Sequence, residues 1–424
     1  MENRIIKSDL KKEMKNYSSI KDALTTSLLG SFPQTQGDEI EAVVTHWMQS
    51  PSLNIPFLTS YMRDHCWSVF QATGKQKHTL QVHEPKAIYQ ARLPISWAGV
   101  PFPPPKSPKF KFIDLFAGIG GFRIAMQELG GCCVFSSEWD PHAKITYEAN
   151  FAEVPFGDIR KIIESDIPDH DVLCAGFPCQ PFSLAGVSAR NSLRTAHGFA
   201  CETQGTLFFD IARIIKAKQP RVVFLENVKN LVSHDGGKTL LIIKRTIEEA
   251  GYSFSYRVID SSSLVPQRRL LCSRVCTRNG QDKFEFPVIE GPPLPLKMIL
   301  EPDVDVSFTI SSRLWAGHQK RTKRNLARGT GFSAFCADVE KPSNTIVARY
   351  GKDGKECLIP QARKNPRMLT PRECARLQGF PENFIIPNAK TTSYRQFGNS
   401  VAIPVIRKIS KRIVQLIAEE GVVL

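Results

Sequence analysis

The sequence predicts a doubly wound α/β domain, accompanied by a smaller loop-rich segment and an N-terminal extension. Three observations predict it. From residue 110 onward, short apolar runs alternate with longer helix-like stretches, the pattern of buried parallel strands joined by crossover helices. The residues of unusual chemistry each follow one of those runs, and in such sheets ligands bind beyond the carboxyl ends of the strands. The last stretch, Ile403–Leu416, sets Ile406, Ile409, Ile413 and Leu416 on one helical face, a stripe suited to packing back on the sheet.

Residues 1–107 read as a region apart, an N-terminal extension to which the sequence assigns no role. Ile40-Glu41-Ala42-Val43-Val44 has a short helical pattern, and the charge is near balance, with 12 bases and 9 acids. The region closes on Pro101-Phe102-Pro103-Pro104-Pro105-Lys106-Ser107-Pro108, a stiff extended linker.

The first strand, Phe110–Phe116, runs into Ala117-Gly118-Ile119-Gly120-Gly121-Phe122-Arg123. Such a turn lets a cofactor approach the backbone; on its own it is as readily a plain tight turn. Arg123 stands where a dinucleotide fingerprint has its third glycine, which argues against a pyrophosphate. After the second strand, Cys132–Phe135, Glu138 is placed to accept from ribose hydroxyls and Trp139 to stack on an adenine. Asp158 is placed to accept from an adenine amino group. That set suits a nucleoside cofactor without a diphosphate, of which S-adenosylmethionine is the obvious one.

The third strand, Asp171–Ala175, leads to Gly176-Phe177-Pro178-Cys179-Gln180-Pro181-Phe182-Ser183, where prolines aim Cys179 rigidly. A nucleophilic role needs a partner for the thiol; a small buried hydrophobe is the bland alternative. Leu207–Lys218 and Lys238–Ala250 are the helix-like stretches around the fourth strand, Val222–Leu225. That strand ends in Glu226-Asn227-Val228. A desolvated carboxyl there could hold a proton and donate it to a substrate nitrogen, or simply cap the next helix.

Residues 281–366 lose the alternation. Between 306 and 337 they carry six bases and no acid, Arg313, Lys320, Arg321, Lys323, Arg324 and Arg328, with Trp315, Phe332 and Phe335 interleaved. Alone this reads as a solvated surface loop; beside a site for a nucleobase it becomes a face that tracks phosphates. Across 424 residues, 42% are hydrophobic and the formal net charge is +15, which excludes wholesale disorder and suits a polyanionic partner. No run reaches the ~18 apolar residues of a spanning helix, and the N-terminus does not read as a secretory signal. The eleven cysteines include no C-x-x-C pair, so they read as reduced thiols of a cytoplasmic protein rather than zinc ligands.

Together the motifs resemble those of the cytosine-C5 DNA methyltransferases of bacterial restriction–modification systems. Asp114-Leu115-Phe116-Ala117-Gly118-Ile119-Gly120-Gly121, Pro178-Cys179-Gln180-Pro181-Phe182-Ser183, Gln204-Gly205-Thr206-Leu207-Phe208 and Glu226-Asn227-Val228 carry the likeness. So do Pro266-Gln267-Arg268-Arg269, Arg367-Met368-Leu369-Thr370-Pro371-Arg372-Glu373 and Gln396-Phe397-Gly398-Asn399-Ser400-Val401, in the family's order across 110–415. The resemblance implies a Rossmann-like, S-adenosylmethionine-dependent methyltransferase domain over 108–280, a small target-recognition domain over 281–384, and a return segment over 385–424. It assigns Cys179 attack on cytosine C6, Glu226 the grip on N3 and the exocyclic amine, and Arg269 a further catalytic place. Phe116, Gly118, Gly120, Glu138, Trp139, Asp158, Leu207, Asn399 and Val401 would line the cofactor site, with no metal. Duplex DNA is the implied partner of a monomer. A cognate restriction endonuclease would share the site without forming a complex.

One departure stands out. The family pattern Gln-x-Arg-x-Arg has its second arginine on the target cytosine, and here that position is Leu271. Cys272-Ser273-Arg274-Val275-Cys276-Thr277-Arg278 also lacks the look of an apolar strand. Tolerated weakening, replacement by Arg268 or Arg274, and a locally shifted frame are the explanations open. The departure motivates a second class of function, a homologue that binds DNA and cofactor without turnover. RNA cytosine methylation is a third reading, and an oxidoreductase the weakest. The stretch Thr345–Gly354 resembles the recognition region of enzymes acting on CCNGG- or CCWGG-like sites.

Overall fold

The computed structural model describes residues 2–32, 39–73, 93, 95, 97, 99–177, 207–278, 284–329 and 334–421. Three helices come first: α1 (Glu2–Ser31), α2 (Ile40–Gln49) and α3 (Ser60–Thr73). Then follow β1 (Phe110–Leu115), α4 (Gly121–Glu128), β2 (Gly131–Ser137), α5 (Pro141–Phe151), β3 (Val172–Gly176), α6 (Leu207–Lys218), β4 (Val222–Val228) and α7 (Lys238–Glu249). After these come β5 (Ser255–Asp260), β6 (Gln267–Arg268), β7 (Leu270–Thr277), α8 (Ser312–Arg328), β8 (Ser343–Asn344) and α9 (Tyr350–Asp353). The helices α10 (Pro371–Leu377), α11 (Lys390–Asn399) and α12 (Ile403–Gly421) complete the described chain.

Six strands form one sheet in the order β2-β1-β3-β4-β7-β5. The first four are parallel, and β7 runs antiparallel between β4 and β5. Strand order reverses between β1 and β3, the switch point at which such sheets open a crevice. Side chains alternate across the sheet. Phe112, Cys174 and Phe224 point into one core with Phe122 of α4 and Ile406, Ile409 and Ile413 of α12. Leu115, Leu173 and Leu225 point into the other, with Ile211, Ile214 and Ile215 of α6 and Ile243 of α7.

That second core also takes in Leu24, Leu28, Val43, Val44 and Trp47 from the N-terminal helices. Tyr17 donates to the Ala152 carbonyl at 2.8 Å and Lys21 pairs with Glu148 at 2.6 Å. Arg123, which stands in for the missing glycine, is fully buried with its Nη1 on Glu153 and Tyr147 and its Nη2 on Gln49. The Arg367–Glu373 motif has a local explanation. Thr370 and Glu373 form a capping box around Pro371, and Glu373 is buried in a two-pronged pair with Arg367 at 2.8 Å.

Two expectations are corrected. Residues 270–277 are a buried strand despite their polar appearance: Cys272, Cys276 and Val275 bury as small hydrophobes, and the Arg274 guanidinium lies 5.3 Å from the Phe177 ring centroid. Residues 312–328, read as a loop, form a helix. Ser311 caps its start through the Leu314 N–H, and Gly329, at φ 62°, ends it. Leu314, Trp315, His318 and Thr322 form its inner face. The six bases lie exposed on the rest of the helix.

Candidate active site

The carboxyl ends of β1 to β4 open onto a cleft of about 1030 Å³. β1 ends in a turn with three left-handed residues, Phe116 at φ 56°, Gly118 at 56° and Gly120 at 86°. Such a φ is uncommon for a bulky side chain like Phe116 and is held only by its surroundings. A Cβ at Gly118 would meet nothing within 4 Å among the described residues, which leaves this turn the room that a ligand's cradle needs. Gly120 does not reach the cleft: a Cβ there would sit 2.2 Å from the Phe151 ring, so it lets α4 and α5 pack closely.

Beyond β2, Glu138 accepts from the Gly118 N–H and the Asp140 N–H, each at 2.8 Å. Burial pushes its carboxyl above the ordinary range, and the two backbone donors counter part of that rise. Trp139 stands 70% exposed at the rim, an apolar plate that the described residues leave mostly uncovered. Asp158 lines the cleft too, but its carboxylate is engaged by Arg160, at 2.9 Å from Nε to both oxygens. That guanidinium holds the acid below its usual range. Arg160 forms part of the wall, and sequence reasoning missed it, although its place two residues after Asp158 was the available clue.

Glu226 and Arg269 both line the far end. Glu226 continues β4 beside Gly176 of β3 and is 7% exposed, with its Oε1 lacking any hydrogen-bond partner among the described residues. Desolvation raises its pKa, and Arg269 and Arg274 hold the rise back. Arg269 is equally buried. Its Nη1 donates to the carbonyls of Ile346 and Gly398 at 3.3 Å, and its Nε has no partner among the described residues. Burial pulls its pKa down and Glu226 pushes back, yet a guanidinium stays cationic. Gln267 is fully buried, donating to the Leu377 carbonyl at 3.3 Å and accepting from the Ile346 N–H at 3.1 Å. It thereby fixes the 345–349 segment against the sheet.

Leu207, Asn399 and Val401 complete the wall, with Arg395, Gln396 and Ser400 beside them. Cys179 lies outside the described residues, as does the rest of 178–206. Leu271, where the family arginine was expected, is fully buried in the apolar core opposite Val228. Of the two candidate replacements, Arg268 is exposed beside β8, whereas Arg274 is buried and acts on Glu226.

The cleft can therefore hold a planar nucleoside at the Trp139 end and a polar ring at the Glu226 end. Its volume is at the upper limit of ordinary ligand sites, ~300–1,000 Å³, enough for both. Residues 110–415 match the C-5 cytosine-specific DNA methylase family. The chain is 47% identical over 317 residues to the Type II methyltransferase M.DsaV of Dactylococcopsis salina, spanning 73% of this chain and 87% of that one. With the Type II methyltransferase M.SsoII of Shigella sonnei it shares 48% over 326 residues, or 74% of this chain and 82% of the other. The fold is also similar to that of the S. pombe Dnmt2 methyltransferase, at a TM-score of 0.58 and 16% identity, covering 73% of this chain and 99% of that one.

Proposed function

The chain belongs to the C-5 cytosine-specific DNA methylase family, and from that premise we propose how its residues methylate DNA. The reaction is transfer of a methyl group from S-adenosylmethionine to C5 of a cytosine flipped out of a specific short duplex site. Cytosine C5 is a poor nucleophile. Addition of the Cys179 thiolate to C6 forms an S–C6 bond and moves electron density to C5, which splits one hard step into two. Glu226, whose carboxyl burial makes easier to protonate, would donate to N3 and accept from the exocyclic amine, meeting charge as it develops on the ring. S-adenosylmethionine, when bound, supplies an electrophilic methyl on its sulfonium. Loss of the C5 proton to a base then expels Cys179 and restores the aromatic ring. A stacked base cannot undergo this sequence, so flipping is required.

For the cofactor, Trp139 would stack on the adenine and Glu138 accept from the ribose. Asp158 would accept the adenine amino group, and Phe116, Gly118, Leu207, Asn399 and Val401 would form the walls. Gly120 would serve the turn alone. Arg269 would orient Glu226, and Arg274 would supply the cation that Leu271 cannot. The observation that carries the reading is a buried carboxyl, one oxygen of which has no partner among the described residues, near a buried arginine at the end of a cleft opposite an exposed indole.

The names of the relatives support a place in a restriction–modification system, and the likeness of the Thr345–Gly354 stretch supports a CCNGG- or CCWGG-like site. The protein would act in the cytoplasm as a monomer, alongside an endonuclease that reads the same site separately. The test is a duplex carrying 5-fluorocytosine, incubated with the protein and S-adenosylmethionine. Fluorine blocks the last elimination, so a protein–DNA adduct survives denaturation, and Cys179→Ser abolishes it. The buried Leu271 favours one second reading, a homologue that binds without turnover. Cofactor-dependent binding with no adduct would establish that reading and sink the first.

A further inference from the structure

Glu39 lies outside the span that matches the family, yet it touches the cofactor end of the cleft. Both of its carboxylate oxygens lie 3.0 Å from the Gly157 nitrogen. Gly157, Asp158 and Ile159 are consecutive residues of the cleft wall. The glycine at 157 is explained by this contact, since its φ is unremarkable and a Cβ there would sit 2.6 Å from the Glu39 Oε1. Glu39 is 7% exposed, so the bond is shielded from competing water.

Glu39 immediately precedes α2, and that helix is anchored to the same stretch of chain. Gln49 donates to the carbonyls of Phe151 and Ala152 at 2.9 and 3.0 Å, and Thr45 Oγ1 accepts from the Val154 N–H at 3.0 Å. The Ser136 N–H donates to His46 Nε2 at 3.2 Å. On its other side the segment pairs with β2, through Phe156 N–H to the Ser136 carbonyl and Glu138 N–H to the Phe156 carbonyl. Residues 151–157 are thus held between β2 and α2, and α2 satisfies backbone groups that β2 leaves over.

We propose that Glu39 is a positioning residue for the cofactor site, acting through Gly157 to fix Asp158 where the adenine amino group arrives. The N-terminal extension would then be part of the cofactor pocket's frame. The proposal rests on the cofactor assignment above. Without Glu39, the Gly157 N–H must find water and the loop bearing Asp158 gains freedom that binding has to remove.

The test is calorimetric binding of S-adenosylhomocysteine to the full chain, alongside cofactor KM and kcat. Glu39→Ala should weaken binding and raise KM by roughly five- to thirty-fold, the cost of one unmade buried hydrogen bond, with kcat changed less than about twofold. Glu39→Gln keeps an acceptor oxygen and should recover most of the loss. Gly157→Ala should weaken binding similarly, and Glu39→Ala in that background should cost nothing further, because the clash is relieved. Equal affinity of wild type, Glu39→Ala and Gly157→Ala overturns the proposal, as does a loss confined to kcat. If the wild type itself fails to bind S-adenosylhomocysteine, the cofactor assignment falls and the proposal falls with it.

Discussion

Glu226→Gln is expected to make the unliganded protein more stable at pH 8 while removing nearly all of its activity. The glutamate is 7% exposed, its Oε1 has no partner among the described residues, and burial raises its pKa despite Arg269 and Arg274. A carboxyl of this kind binds its proton more tightly folded than unfolded. Its contribution to stability is full below the unfolded value, about 4.3, and is lost as pH rises through the folded one. The glutamine variant has no such loss. A tenfold change in proton affinity is worth ~1.4 kcal/mol, and a buried polar atom without a partner costs ~1–3 kcal/mol. The amide still leaves one buried group poorly matched, so the net gain at pH 8 is about 1–2 kcal/mol, or about 1–2 °C in Tm for a chain of this size. Melting curves without DNA or cofactor, taken from pH 4.5 to 8.5, should converge in acid and separate toward pH 8. Parallel curves, or a wild type more stable at pH 8, would refute the reasoning. Methyl transfer by the variant should fall by about 10²–10³-fold, as for loss of one donor aimed at developing charge.

Three further outcomes follow from other parts of the molecule. Leu271→Arg, which restores the family residue, should not raise activity and should lower Tm sharply, because it forces a charge into an apolar core at a cost of several kcal/mol; a stable, faster enzyme would show that position 271 faces the substrate. Trp139→Ala should weaken S-adenosylhomocysteine binding by ~1–3 kcal/mol, the worth of one base stacked on an aromatic ring, while Trp139→Phe keeps most of it; calorimetry decides, and an unchanged affinity removes the stacking role. Replacing Lys320, Lys323 and Arg324 of α8 with alanine should flatten the salt dependence of DNA binding by about 2–3 in log–log slope, equally for specific and random duplexes. An unchanged slope would return α8 to a solvated face.

The sheet is legible where its strands are apolar and obscure where they are not. Phe110–Phe116, Cys132–Phe135, Asp171–Ala175 and Val222–Leu225 announce β1 to β4 because both faces of a parallel sheet are buried. β7 is the counterexample. Arg274 can occupy its interior because Phe177 offers a ring and Glu226 a nearby carboxyl, and neither neighbour lies on the same strand. In α8 the inner face uses His318, whose Nε2 donates to the Asp353 carbonyl at 2.9 Å, and Thr322, bonded to Ala334. A hydrophobic periodicity cannot register two polar residues that are buried through their hydrogen bonds.

The candidate site divides in the same way. Its residue types can be read because each follows a strand end, where a doubly wound sheet exposes side chains to a crevice. Their distances cannot be read, since these depend on contacts between elements far apart in the chain. Arg160 lying on Asp158, Gly120 turned toward Phe151 and Glu39 reaching Gly157 are contacts of this kind. The last matters most for function. A motif search stops at residue 110, where the family match begins, but the hydrogen bonds that hold residues 151–157 do not. If those bonds set the position of Asp158, the boundary of the family domain is not the boundary of the cofactor site, and a chain cut at the linker should bind its cofactor more weakly than the whole.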